Sequence, residues 1–201
     1  MYFAGILPLG VLYCEKTTEG AFSMELTEKT INSREVFKGR IIRVRFDTVR
    51  LPNGKECTRE VVEHPGGVAI LAIDSEDRVL LVRQYRYPFE RVLTEIPAGK
   101  REPGEPPFIT AQRELQEEVG ATADTWTELG TLIPSPGCYG ETLYLYMAQD
   151  LHFGATHPDE DEFLEPLRVP LDEAVRQCMD GTLTDAKTVA AILKGKILRE
   201  S

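Results

Sequence analysis

The stretch that most constrains this chain runs from Gly99 to Ala121, GKREPGEPPFITAQRELQEEVGA. It joins a loop rich in glycine and proline to a helix that carries an apolar face beside an acidic one. Phe108, Ala111, Leu115 and Val119 recur at helical spacing and predict the packed side, and Gly120 supplies the stop. Glu114, Glu117 and Glu118 stand at i, i+3 and i+4, so at about 100° per residue they share one face. Like charges at that spacing repel, each pair costing about 0.2–0.5 kcal/mol on an isolated helix. Hard cations such as Mg²⁺ or Mn²⁺ take carboxylate oxygens and offset the repulsion. They also bridge phosphates, neutralise charge on a leaving group and lower the pKa of a bound water. For a lone EE or ExxE the plainer reading is a solvated acidic face partnered by Arg113.

The flanking segments read mostly as strands. Glu35–Asp47 (EVFKGRIIRVRFD) alternates apolar and polar residues, and Asn53-Gly54 follows as a hairpin signal. Thr58–Glu63, Val68–Ile73 and Val79–Gln84 are short, β-branched and separated by turn residues. A loop then leads into IPAG. Beyond the central helix, TWTELGTLIPS and ETLYLYMAQDL are two further strands around the loop SPGCYG, and one more follows PDEDEFLEPLRVP. Two helices close the chain: LDEAVRQCMDG, stopped by Gly181, and TDAKTVAAILKGK, capped by Thr184 or Asp185. This order predicts an α/β fold, a mixed β-sheet between helices, with antiparallel strands in front of it.

With 201 residues, 42% of them hydrophobic, the chain is long enough for one core, and two full domains would be a tight fit. Residues 1–23 are read as a poorly ordered extension. Their apolar run lacks a basic start and is too short and too interrupted for a membrane span. The balance of 23 basic against 33 acidic residues, a formal −10, argues against nucleic acid as the main partner. An acidic chain that binds a phosphorylated small molecule needs cations to offset repulsion. Cys14, Cys57, Cys138 and Cys178 form no ligand spacing with one another or with His64, His152 and His157. They read as reduced thiols of a cytoplasmic protein rather than a zinc site.

The whole pattern outweighs the solvated-face reading. Gly99, Glu105, Arg113, Glu114, Leu115, Glu117, Glu118 and Gly120 sit at G-x5-E-x7-R-E-U-x-E-E-x-G-U, where U is aliphatic. This resembles the Nudix box, the signature of the Nudix hydrolases. Ala121 departs from it, being small where a larger aliphatic residue is usual, which touches packing rather than chemistry. The flanks VLLVRQYRYP and EIPAG, and Pro136 sixteen positions past Gly120, look like the ADP-ribose pyrophosphatase branch.

The resemblance implies a Nudix-type α/β/α sandwich with a mixed β-sheet over 67–201, preceded by N-terminal antiparallel strands over 24–66 that take part in a homodimer. It implies Mg²⁺-dependent cleavage of a nucleoside diphosphate derivative, with ADP-ribose foremost. Another NDP-sugar such as GDP-mannose, a dinucleotide, or a nucleotide-sensing domain without turnover stand as alternatives. RNA processing is weakened by the missing basic patch. Glu114, Glu117, Glu118 and the Ala98 carbonyl are the implied metal ligands, and Arg113 the residue that orients the carboxylates. Glu141, or one of the box glutamates, is the general base. Arg86, Arg59, Glu60 and Glu105 are the implied substrate-side residues, Glu105 also serving to brace Arg113. Arg86 bears on the diphosphate, and Arg59 and Glu60 lie near the adenine end, completed by a partner subunit. Tyr85 and Tyr139 are candidates for base stacking, with packing the plainer role.

Overall fold

Gly67–Ala72 is an apolar strand buried at every position. This strand, β4, is the axis of the structure, a computed structural model that describes residues 25–156 and 162–201. The readings of residues 1–23, Cys14 and His157, and the start of PDEDEFLEPLRVP at 158–161, lie outside the described residues. Before β4 come β1 (Lys29–Lys38), β2 (Arg43–Arg50) and β3 (Glu56–Glu63). After it come β5 (Arg78–Arg86), β6 (Arg91–Glu95) and β7 (Ala98–Lys100), then helix α1 (Pro107–Val119). The chain continues through β8 (Ala121–Leu132), β9 (Tyr139–Gly140), β10 (Leu143–Phe153) and β11 (Leu164–Pro170). It closes with helices α2 (Leu171–Asp180) and α3 (Ala186–Glu200).

The central sheet has the order β7-β4-β10-β8, with β10 parallel to β4 and the other pairs antiparallel. A second sheet, β11-β5-β6, joins it through the Ile73–Val79 bridge. Side-chain alternation divides the interior in two. Ala69, Leu71, Ile73, Leu145 and Met147 meet Leu171, Ala174, Ala191 and Ile192 of α2 and α3. Val68, Ile70, Ala72, Tyr146 and Ala148 meet Ala111, Leu115 and Val119 of α1. The result is helix, sheet, helix. Burying each large aliphatic side chain contributes about 1.5–3 kcal/mol. Helix α3 comes so near β4 that a Cβ at Gly195 would stand 2.2 Å from Leu71 Cδ2. Among the described residues no helix is long and apolar enough to cross a membrane.

The N-terminal sheet has the order β1-β2-β3-β9. The Asn53-Gly54 turn joins β2 to β3, with the Gly54 N–H donating to Leu51 O at 2.9 Å. Two local readings are corrected. Glu35–Asp47 is two strands rather than one alternating run: the chain reverses at Gly39, whose N–H donates to Ile42 O at 2.9 Å. The segment taken as a loop before IPAG contains β6, and β7 overlaps the start of the box. Both form because neighbouring strands offer edges, pairing Val82 with Glu95 and Val68 with Gly99.

Candidate active site

The three box glutamates lie where α1 crosses β7. Leu115 and Val119 anchor the helix on the central sheet, and Gly120 ends it in the left-handed conformation at φ 63°. Glu118 is 4% exposed, and its Oε2 accepts the Ala98 N–H at 3.0 Å. Glu114, also buried, lies against the backbone of Gly99, where a Cβ would fall 1.9 Å from its Oε1. Only a glycine leaves that space. Burial pushes the Glu114 carboxyl up to about 7 and Glu118 up to about 8, each further raised by the other negative charges nearby.

Arg113 is the hub of this face. It donates from Nη1 to Glu114 at 2.9 Å and to Glu117 at 2.8 Å, and its Nε and Nη2 reach Glu105, both at 3.2 Å. Glu105, which was expected on the substrate side, is turned toward Arg113 and Thr110. The Arg113 hydrogen bond, joined by that of Thr110, holds its carboxyl down to about 2, so it stays ionised across any ordinary assay pH. Arg113 is thus fixed from behind and aims its remaining donors at two ligand candidates.

These residues open into a cavity of about 920 Å³. Its acidic wall carries Glu114, Glu117, Glu141 and Glu162, with Glu118 buried behind it. Lys38, Arg40 and Arg43 from the β1–β2 turn, with Lys100, Arg101, Arg86 and Lys187, make the same cavity basic elsewhere. These side chains offer charged N–H donors to an anion beside the carboxylates.

Arg86 meets Glu95 side-on, Nε to Oε1 at 2.6 Å and Nη2 to Oε2 at 2.8 Å. Lys187 also donates to Oε2 of the same carboxylate and stands 3.0 Å from Asp185, which caps α3 by accepting the Thr188 N–H. Burial opposes the Glu95 charge, yet the two cations keep it below the usual carboxylate range. Glu95 and Lys187 escaped the sequence reading. EIPAG reads only as a flank and TDAKTV only as a helix start, and nothing in their spacing pairs them.

Glu141 follows β9 and faces the cavity, with Oε1 3.2 Å from His64 Nδ1. Tyr139 is taken up by ring contact with His64, at 5.5 Å between centroids, and Tyr85 is exposed away from the cavity. Arg59 and Glu60 do not line the cavity within one chain. Arg59 is instead paired with Glu28, Nη2 to Oε1 at 2.5 Å.

Among the described residues no three carboxylate, imidazole or thiol groups already converge as a coordination cluster, because Arg113 draws Glu114 and Glu117 while Ala98 draws Glu118. The donor set nevertheless fits a hard divalent cation. Glu105, Glu114 and Glu117 share one guanidinium, Glu118 is buried against a backbone N–H, and all offer oxygen ligands.

Comparison with known proteins bears on the same residues. The NUDIX domain family matches residues 63–192, and the nucleoside diphosphate sugar hydrolase N-terminal domain matches residues 28–62. The chain is 43% identical to the methanol dehydrogenase activator of Bacillus methanolicus over 167 residues, 82% of this chain and 90% of that one. It is 43% identical to the ADP-ribose pyrophosphatase of Bacillus subtilis over 169 residues, 83% of this chain and 91% of that one. Among solved structures, an ADP compounds hydrolase superposes with a TM-score of 0.78 at 27% identity, covering 89% of this chain and 97% of its own.

Proposed function

This chain belongs to the Nudix hydrolase family, and from that premise we propose that it cleaves the pyrophosphate bond of ADP-ribose to give AMP and ribose 5-phosphate. The observation that carries the reading is a cavity in which box carboxylates face a cluster of lysines and arginines, a match for a diphosphate with cations. Glu114, Glu117, Glu118 and the Ala98 carbonyl would hold Mg²⁺ or Mn²⁺. Bound there, such an ion supplies charge neutralisation on the diphosphate and a more acidic attacking water.

The protein's own groups do the rest. Arg113, fixed by Glu105, orients Glu114 and Glu117. Arg86 and Lys187, held on one buried carboxylate, present N–H donors to phosphate oxygens with little freedom left to lose on binding. Glu141 accepts the proton of the attacking water. No covalent intermediate is needed. The three unpaired thiols among the described residues, Cys57, Cys138 and Cys178, favour a reducing, cytoplasmic setting.

Release of AMP from ADP-ribose, measured beside GDP-mannose and a dinucleotide, tests this directly. ADP-ribose is expected to be the preferred substrate with Mg²⁺, and EDTA to abolish turnover. Preference for another diphosphate overturns the substrate and keeps the chemistry. Tight binding with no turnover on any of them favours a nucleotide sensor.

We further propose a homodimer built on β1–β3. Every residue of β1 is exposed, among them Ile31, Val36 and Phe37, and an apolar strand left in water is costly. A partner's strands would also bring Arg59 and Glu60 to a cavity that they do not reach in their own chain. Sedimentation at micromolar concentration should give a dimer, and Phe37→Asp should give monomers of reduced activity. A wild-type monomer with full turnover rules the arrangement out.

A further inference from the structure

Resting on the reading of Glu141 as general base, we propose that His64 is its positioning residue and offers Nδ1 as hydrogen-bond acceptor to Glu141 once that carboxylate has taken the water's proton. The geometry begins with a turn. His64, Pro65 and Gly66 link β3 to β4, and the Gly66 N–H donates to His64 Nδ1 at 3.2 Å. A ring nitrogen that accepts carries no proton, so the neutral ring bears its hydrogen on Nε2, and a hydroxyl on Glu141 must share the one Nδ1 lone pair with the Gly66 N–H or displace it. The same Nδ1 stands 3.2 Å from Glu141 Oε1, and the ring is almost wholly buried.

The backbone on either side of Glu141 is held to this turn. Tyr139 and Gly140 pair with Val62 and Glu63, the Val62 N–H donates to Cys138 O at 2.8 Å, and the Gly67 N–H donates to Thr142 O at 3.1 Å. Gly66 sits at φ 84°, with Thr142 O so close that a Cβ would meet it at 2.9 Å. Base and imidazole therefore cannot drift apart without undoing strand pairing.

A lone pair on Nδ1 facing an ionised carboxylate is unfavourable, whereas a protonated carboxyl donates to it. The contact is therefore poor before proton transfer and good after it, which is the kind of interaction that accelerates a step rather than tightening the ground state. In the step itself the water oxygen bonds to one phosphorus, and the bridging oxygen leaves with its electron pair on the other phosphate. One water proton passes to Oε1 of Glu141, whose hydroxyl then turns toward Nδ1, and the other remains on the product phosphate until it ionises.

The surrounding charges agree. Burial, then Lys100 of β7, lowers the His64 pKa and keeps the ring neutral. Burial raises the Glu141 pKa against the pull of Lys187 of α3, and Tyr139 of the same loop also faces the pair.

His64→Phe keeps bulk and removes the acceptor. We expect kcat to fall about 10- to 100-fold, KM for ADP-ribose to stay within about threefold, and the acid limb of the kcat profile to move to lower pH. His64→Asn, whose Oδ1 stands near the place of Nδ1, should restore part of both. On the wild-type protein, ¹⁵N NMR of His64 near neutral pH should show the Nε2–H tautomer. An Nδ1–H tautomer, or an unmoved acid limb in a folded His64→Phe protein, overturns the proposal. Glu141→Gln separates the two readings. If it keeps wild-type turnover, the general-base reading fails and takes the role of His64 with it. If it is inactive while the His64→Phe acid limb stays in place, only the His64 role fails.

Discussion

Glutamine in place of Glu117 or Glu118 is expected to lower ADP-ribose turnover by about 10³-fold, equivalent to about 4 kcal/mol of barrier, while the protein still folds. The rate falls because an amide carries no charge to hold a divalent cation. Folding survives because Glu118 is buried, and a glutamine oxygen still accepts the Ala98 N–H. The pH dependence gives a second readout. Burial raises the Glu118 carboxyl from 4.5 to about 8, so in EDTA its contribution to stability is fully present below about pH 4.5 and is lost as pH rises through about 8. The melting temperature of Glu118→Gln in EDTA should therefore pull ahead of wild type between pH 5 and 8, and added Mg²⁺ should reverse the order. Unchanged turnover in both variants would remove these residues from the ligand set.

The next largest effect is expected from a single methyl group. In Gly99→Ala the new Cβ falls 1.9 Å from the Glu114 carboxylate and must displace it. The displaced atoms end a flexible side chain, and a strand position such as Gly99 accepts alanine without backbone strain, so the melting temperature should barely move. Turnover should fall about 10²-fold, the usual consequence of an ångström of misplacement at a reacting centre, and half-saturation should need more Mg²⁺. Wild-type turnover and Mg²⁺ dependence in this variant would show that the position of Glu114 does not matter to the reaction.

Both predictions rest on features visible in the sequence to different degrees. The shared face of Glu114, Glu117 and Glu118 followed from their spacing, because helical periodicity is a local property. The same holds for the strand at Val68–Ile73, the Asn53-Gly54 hairpin and the α3 cap, which the sequence narrows to Thr184 or Asp185 and which is Asp185. The role of Glu105 was half legible: its place in the box suggested a brace for Arg113, but its orientation away from the cavity was not encoded in spacing.

The sequence by itself determined the layered α/β plan, the acidic helix face and its glycine-lined approach, since each depends on residues within a turn or two of one another. Only the tertiary structure decided which distant groups share the cavity. Glu95 meets Lys187 across 92 positions of chain, and His64 meets Glu141 because β9 lies alongside β3. Such contacts depend on sheet register, where a slip of one residue turns every side chain to the opposite face, and register is fixed by packing across the whole core.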